Sequence, residues 1–225
     1  MTPALLAVIV DHMEAEAPKE ACGLLVWDGV VNATYVPCRN IAETPEDHFV
    51  IAPEDWARAE DTGTILGIVH SHPTGPAVPS EGDRVGCDHS MVPWWVVGPG
   101  GAWTRIAPKG WDILGRPFAW GIQDCYTLAM DVYGGLPDFL RSPLFWEAKS
   151  LFADGLQSAG FREVDEDPTP GDGLLMSLKG RGIANHCAVY VGSGRIFHHL
   201  PGRLSVEENL GPLHRAVISV VRRAA

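Results

Sequence analysis

The hydrophobic pattern changes rhythm along the chain and divides it into elements. The opening stretch MTPALLAVIVDHMEAEAPKE predicts a helix, with Thr2 as N-cap, Pro3 at the first helical position and acids further on. ACGLLVWDGVVNATYVPCRN then predicts two strands around the turn Asp28-Gly29, a strong hairpin signal. HFVIAPEDWARAED predicts a strand followed by a helix entered through Pro53, and the β-branched run TILGIVH suits a buried strand. A Gly/Pro-rich loop covers residues 73–79 and a short helix starts at Ser80. PWWVVG and AWTRIAP form a hairpin around Gly98-Pro99-Gly100-Gly101. Together these make one α/β unit of roughly a hundred residues, a normal domain size.

Residues 107–117, APKGWDILGRP, combine Pro, Gly and few periodic apolar positions, and read as a linker. Beyond it the pattern restarts. DCYTLAMDVYGG is helical with a Gly pair as stop signal. LFWEAKSLFADGLQSAG predicts a longer helix, with Phe145, Ala148, Phe152, Leu156 and Ala159 at helical spacing and an end at Gly160. Strand-like runs follow at GLLMSL, HCAVYVG, RIFHHL and AVISVV. Helices first and strands afterwards suggest an α+β domain. The expectation is an α+β protein of two domains, residues 1–108 and 109–225, without internal repeats.

Composition leaves this picture in place and narrows the function. The 225 residues are 46% hydrophobic and 20% charged, and the mean hydropathy is +0.02, as in an ordinary globular chain. The net charge is −11, with no Lys/Arg run, which argues against nucleic acid or an anionic membrane surface as partner. The N-terminus lacks a positive region and a small-residue cleavage pattern, so no signal peptide is expected. No apolar run has the length of a membrane span. Five scattered cysteines (Cys22, Cys38, Cys87, Cys125, Cys187) fit free thiols in a reducing compartment.

Candidate chemistry gathers first in GIVHSHPTGPAVPSEGD, residues 67–83. Alternate residues of a strand share a face, so His70 and His72 project together at the strand end. Ser80 and Asp83 lie three apart and share one side of a first helical turn. Asp83 can close a His/His/Asp site that keeps a fourth position for water, the arrangement of a catalytic zinc. Water activated by zinc needs a base, and Glu20, at the entry to the first strand, is available. An isolated His-x-His beside a Pro/Gly turn is more often a surface loop, with Ser80 merely capping a helix and Asp83 supporting it. Cys87 and His89 read as helix or loop positions, and Cys22 as a packed small hydrophobe.

The complete string is more specific. Glu20 in EACGLL followed by HSHPTGPAVPSEGD resembles the JAMM (MPN-plus, JAB) metalloprotease motif of Glu, His-x-His-Pro, a spacer and Ser-x-x-Asp. The resemblance implies Zn2+ held by His70, His72 and Asp83, Glu20 as general acid/base, and Ser80 helping to stabilise the oxyanion. It also implies amide or isopeptide hydrolysis, including cleavage next to ubiquitin-like folds.

A second constellation lies in FAWGIQDCYTLAMDVYGG, where a Gly-bearing loop delivers Cys125 to a helix start. Unpaired backbone N–H groups and the helix dipole favour a thiolate there. A thiolate needs an imidazole partner. His186 opens the strand HCAVYVG, and His198 lies in the next strand after a Gly192–Gly194 hairpin, so the second can orient the first as in a triad. The plainer alternative is that Cys125 belongs to an apolar stripe with Leu128, Ala129, Val132 and Tyr133, and that His186 is only a solvated strand start. His199 adjoins His198 on the opposite strand face; a register change of one residue would exchange their roles. Tyr126 and Trp120 can line a substrate groove or simply pack. His12, His48 and His214 have no partner pattern.

DCYTLAMDVYG, PTPGDGLLM and HCAVYVGSGRIFHH together resemble the NlpC/P60 family of papain-like cysteine peptidases, which cut peptide stems of bacterial cell walls. The resemblance implies Cys125 as nucleophile, His186 as base and His198 as the polar orienting residue. Tyr126 and Thr127 depart from the small Ser-Gly pair usual after the nucleophile, which can change the pocket shape.

The order of the two signatures resembles the tail-assembly protein K family of lambda-like tailed bacteriophages. This implies a two-headed peptidase acting on peptidoglycan peptides and meeting other phage tail-tip proteins, made in the host cytoplasm and carried to the virion tail tip. Two alternatives stay open: a maturation protease of tail assembly, and a structural assembly factor with idle sites.

Overall fold

A computed structural model describes residues 1–141, 156–180 and 182–224. They separate into two units, Met1–Trp111 and Asp112–Ala225, each closing its own core. Among the described residues, no helix is long and apolar enough to cross a membrane.

The first unit starts with α1 (Pro3–Glu16), whose N-cap Thr2 accepts from the Leu5 N–H and which buries Leu5, Ile9 and Met13. β1 (Cys22–Trp27) and β2 (Ala33–Cys38) follow. In the turn between them the Asp28 carboxylate accepts the N–H groups of Val30, Val31 and Asn32. α2 spans Pro53–Thr62, β3 Thr64–Ser71 and α3 Glu81–Ser90. β4 (Trp94–Val97) and β5 (Trp103–Ile106) complete a sheet of order β2-β1-β3-β4-β5, in which only β3 and β4 run parallel. Cys22, Leu24, Val26 and Ile68 alternate on one face of the sheet and pack with Ala59 of α2, Cys87 of α3 and Trp94. The strand expected over residues 48–51 does not form. The segment makes only an isolated bridge, Asn40 to Ile51, because the Asn40 side chain takes its hydrogen-bonding groups: Nδ2 donates to the His48 carbonyl and Oδ1 accepts from Val50 N–H.

The second unit holds α4 (Cys125–Tyr133), β6 (Phe161–Val164), β7 (Gly173–Met176), β8 (His186–Gly192), β9 (Arg195–His198), β10 (Val206–Asn209) and β11 (Val217–Arg223). The sheet order is β10-β9-β8-β7-β11-β6, with every described pairing antiparallel. Cys125, Leu128 and Ala129 of α4 pack against Leu175, Cys187 and Val189 of the sheet. Most of the helix expected over residues 144–160, with Phe145, Ala148 and Phe152, lies outside the described residues. Residues 156–158 are helical, and Leu156 joins this core. β6 and β10 had no sequence signal, since FREV and VEEN are largely polar.

Candidate active sites

In the first unit the ladder between β1 and β3 sets the register. Cys22 lies opposite His70, and Ala21 pairs with Ser71 in both directions: Ser71 N–H donates to the Ala21 carbonyl and Ala21 N–H to Ser71 Oγ. Glu20 immediately precedes Ala21, and His72 immediately follows Ser71. His72 N–H donates to the Val97 carbonyl, which holds it at the end of β4. A Cβ on Gly98 would come within 2.8 Å of Ala77 N. Glycine at that position therefore lets the loop between His72 and Ser80 lie against the sheet end.

α3 supplies the third group. Ser80 Oγ accepts from the Asp83 N–H at 3.0 Å, and Ser80 N–H donates to Asp83 Oδ2 at 2.7 Å, a reciprocal capping box. This fixes Asp83 with Oδ1 only 3.1 Å from His70 Nε2 and Oδ2 3.5 Å from His72 Nε2. Ligand atoms of His70, His72 and Asp83 all lie within 4.8 Å of one another, and this trio is the metal-compatible group among the described residues.

The donor set fits a divalent metal. His70 is fully buried between Phe49, stacked at 4.6 Å, and the edge of Trp94. Neither ring nitrogen makes a well-formed hydrogen bond, although Nε2 lies 3.1 Å from Asp83 Oδ1. A buried, unpaired imidazole nitrogen costs free energy unless something else fills its lone pair. The His72 ring, by contrast, is oriented from behind, with Nδ1 3.0 Å from the Pro76 carbonyl, so that Nε2 is left as the lone-pair nitrogen. Burial keeps His70 neutral against the opposing pull of Asp83. Burial alone would raise Asp83, but His70 and the Ser80 contacts outweigh it and hold the carboxylate below its ordinary range. Glu20 opens onto the same cleft as His72, Ser80 and Asp83. Burial pushes its carboxyl up to about 7, with repulsion from Asp83 and Asp47 adding to the effect.

The thiol residues of the second unit converge as well. Asp124 caps α4: Oδ1 accepts the Thr127 N–H and hydroxyl, and Oδ2 accepts the Gly121 N–H and Arg141 Nε, each at 2.9–3.0 Å. Cys125 is thereby held at the first helical position. Its thiol interacts with the Cys187 thiol and the His186 imidazole. Burial pushes the Cys187 thiol well up, while the neighbouring Cys187 S–H, first, and His186 pull Cys125 below the ordinary thiol value against its own burial. His186 and Ala188 share a face of β8, and Ala188 lies opposite His198 on β9. The result is His186 Nε2 at 3.1 Å from His198 Nδ1. His198 Nε2 is in turn 2.7 Å from Glu208 Oε1. A cavity of about 270 Å³ opens beside Cys125 and His186, walled by Phe118, Trp120, Leu178 and Leu200.

Comparison with known proteins puts both sites in context. The chain is 37% identical over 207 residues to tail tip assembly protein K of Escherichia phage N15, covering 88% of this chain and 84% of that relative. It is 39% identical over 165 residues to tail tip assembly protein K of Escherichia phage lambda, covering 70% and 81%. The chain belongs to the tail tip assembly protein K family. Within this K-family chain, residues 2–112 match prokaryotic homologs of the JAB domain and residues 115–223 match the NlpC/P60 family. The chain is also 33% identical over 108 residues to a probable TtuB-protein conjugate cleaving protease of Thermus thermophilus, covering 45% of this chain and 71% of that one.

The K-family chain thus brings together Glu20, His70, His72, Ser80 and Asp83 in one cleft, and Cys125, His186 and His198 in another. Cys22 and Cys87 are core residues whose thiols burial pushes up, to about 12 and about 11. Trp120 lines the thiol cavity. Tyr126 does not: it is fully buried, and its hydroxyl donates to the Pro137 carbonyl. His199 reaches the cavity wall and packs edge-on against Phe118, while His198 is the residue that contacts His186. Sequence reasoning missed Asp124, Arg141, Cys187 and Glu208. Of these only Asp124, immediately before a helix, carried a readable signal.

Proposed function

We propose that this K-family chain is a bifunctional tail-tip hydrolase. The second unit cleaves cell-wall peptides through the Cys125 thiol, and the first cleaves a peptide or isopeptide bond with zinc. The observation that carries the reading is the convergence, in each unit, of a nucleophile-generating group with a proton acceptor.

In the second unit the His186 imidazole takes the proton of Cys125, the thiolate attacks the peptide carbonyl, and the same imidazole gives the proton to the amine as the C–N bond breaks. Water, deprotonated by His186, then cleaves the resulting thioester, releasing the carboxylate product and restoring the thiol. His198 holds the His186 ring in register. The apolar cavity walled by Phe118, Trp120 and Leu200 suits a short peptide segment.

In the first unit His70, His72 and Asp83 would hold the metal. When bound, zinc supplies Lewis-acid polarisation and activates water at neutral pH. Glu20 accepts a proton in the cleft and delivers it to the leaving amine. Ser80 Oγ accepts the Asp83 N–H as a cap, and its own hydroxyl proton is available to an oxyanion at the rim. Similarity to a conjugate-cleaving protease supports an isopeptide or protein-conjugate substrate for this unit. The tail-tip relatives support tail proteins as its partners, with assembly in the host cytoplasm before incorporation into the tail.

The test is digestion of purified cell wall and tail proteins by wild type and single-site variants, with products identified by mass spectrometry and zinc by metal analysis. Cys125→Ala is expected to lower release of cell-wall peptides by at least about a hundredfold and to keep its zinc. Glu20→Ala should keep the metal and lose cleavage of tail proteins; His72→Ala should lose both. Full peptide release by Cys125→Ala would remove the thiol mechanism. A wild-type protein without zinc would remove the metal mechanism.

A further inference from the structure

The contact between His186 and His198 is not the end of the polar chain in the second unit. Val206 of β10 lies opposite His198, and Glu208, two residues on, returns to the same face of the sheet. Its Oε1 meets His198 Nε2 at 2.7 Å. Arg203, in the loop before β10, donates Nη2 to Glu208 Oε2 at 2.8 Å and Nη1 to Oε1 at 3.3 Å. His198 is fully buried, while Glu208 and Arg203 are partly exposed.

A carboxylate can only accept, so the proton on His198 sits at Nε2. A neutral imidazole then has a bare Nδ1, which accepts from His186 Nε2–H. His186 is left with a lone pair on Nδ1, the nitrogen that remains for Cys125. Neutrality of His198 follows from its surroundings: burial pushes it down to about 4, against the pull of Glu208. The proton order along the chain is therefore set from its outer end.

Resting on the thiol-hydrolase reading, we propose that Glu208, itself anchored by Arg203, is a positioning residue that fixes the tautomers of His198 and His186 and so the direction of proton transfer from Cys125. Glu208 touches neither substrate nor sulfur. Its negative charge also stabilises the imidazolium that forms when His186 takes the thiol proton, and Arg203 keeps that carboxylate ionised. The charged and titratable groups facing this chain are Cys125 and Asp124 at the start of α4, Cys187 on β8, and Arg203 and Glu208 at the outer end.

The experiment measures alkylation of Cys125 by iodoacetamide and release of cell-wall peptides, both as functions of pH, in wild type, Glu208→Gln, Glu208→Ala and Cys125→Ala. Gln keeps the size and one acceptor oxygen but not the charge. Its alkaline limit of activity is expected about half a pH unit or more below that of wild type, with kcat lowered and KM unchanged. Glu208→Ala should lose roughly tenfold or more in kcat while its melting temperature stays near that of wild type. Superimposable pH profiles for wild type and Glu208→Gln would overturn the proposal and leave the Cys125 nucleophile standing. Undiminished peptide release by Cys125→Ala would instead overturn the underlying reading, and the positioning role with it. Should Glu208→Ala fail to fold, Glu208→Gln decides alone.

Discussion

His198 and His199 are neighbours in sequence, and burial brings both imidazoles down to about 4, yet they occupy different environments. His198 is flanked by His186 and Glu208; His199 is opposed by Asp124 and by the backbone carbonyls of Arg203 and Arg116. Both therefore stay neutral in the folded state, while in the unfolded chain they take up protons below their ordinary value of 6.5. A histidine lowered by folding contributes stability that is complete above the ordinary value and lost as pH falls toward the folded one. The second unit should lose on the order of 3 kcal/mol between neutral pH and the folded values, less than the simple two-site sum because local opening hydrates the rings as they protonate. Urea melts over that range check this; a flat profile would contradict it. His199→Gln should remove part of the slope. The sequence left the choice between these two histidines open because alternation along a strand decides it only for a regular hairpin. The β8–β9 hairpin has a register shift between Tyr190 and Gly192.

At the scale of elements, the start of α4 depends on an ion pair that no local pattern announces. Asp124 is an ordinary N-cap in the sequence, but in the fold its carboxylate is fully buried and shared between the helix, Gly121 and Arg141. Arg141 is also fully buried; it donates to the Gly121 carbonyl and Thr127 Oγ1, pairs with Asp138, and lies over the ring of Tyr126 at 5.1 Å. Removing one partner leaves an uncompensated buried charge, so Asp124→Ala should destabilise the second unit by about 3–5 kcal/mol. Asp124→Asn keeps a cap acceptor but loses the charge, and should cost less. Calorimetry of the variants checks the order, and Cys125 alkylation should slow in the same order as the helix start loosens. Equal melting temperatures for wild type and Asp124→Ala would refute the assignment. Arginine here is pulled above its ordinary value chiefly by Asp124 and Asp138, against burial, and Asp124 is held below its own by Arg141 and the Thr127 N–H, also against burial. That part of the stability is present above the ordinary carboxylate value and is lost only as pH falls below it, under the histidine window. The apolar elements were legible because burial writes a period into the sequence, as in TILGIVH and HCAVYVG. Polar strands such as VEEN, which carries Glu208, and long-range partners such as Arg141 leave no period to read.

At the scale of the whole molecule, the chain joins two units whose chemistries answer to different reagents. The His/His/Asp group and Glu20 belong to Met1–Trp111, and the thiol, both histidines and Glu208 belong to Asp112–Ala225. Motif legibility was high at this scale because most of each site falls in a few short strings, β3 and the start of α3 in the first unit and the start of α4 and the β8–β9 hairpin in the second, while Glu20 before β1 and Glu208 on β10 stand apart from them. A ligand that binds only the folded state stabilises it in proportion to the logarithm of its saturation, about 3–4 kcal/mol at a hundred to a thousand times Kd. Removing the metal should therefore lower the thermal transition of the first unit by several degrees and leave that of the second in place. His72→Ala, already without metal, should melt where the chelated wild type does and show no further response to chelator. Alkylation of Cys125 gives the reciprocal control, ending cell-wall peptide release while metal content and the first transition stay unchanged. If chelation shifts both transitions equally, the two units share their stability and the metal is not confined to the first. If it shifts neither, His70, with its buried nitrogen unpaired, is not completed by a metal at all.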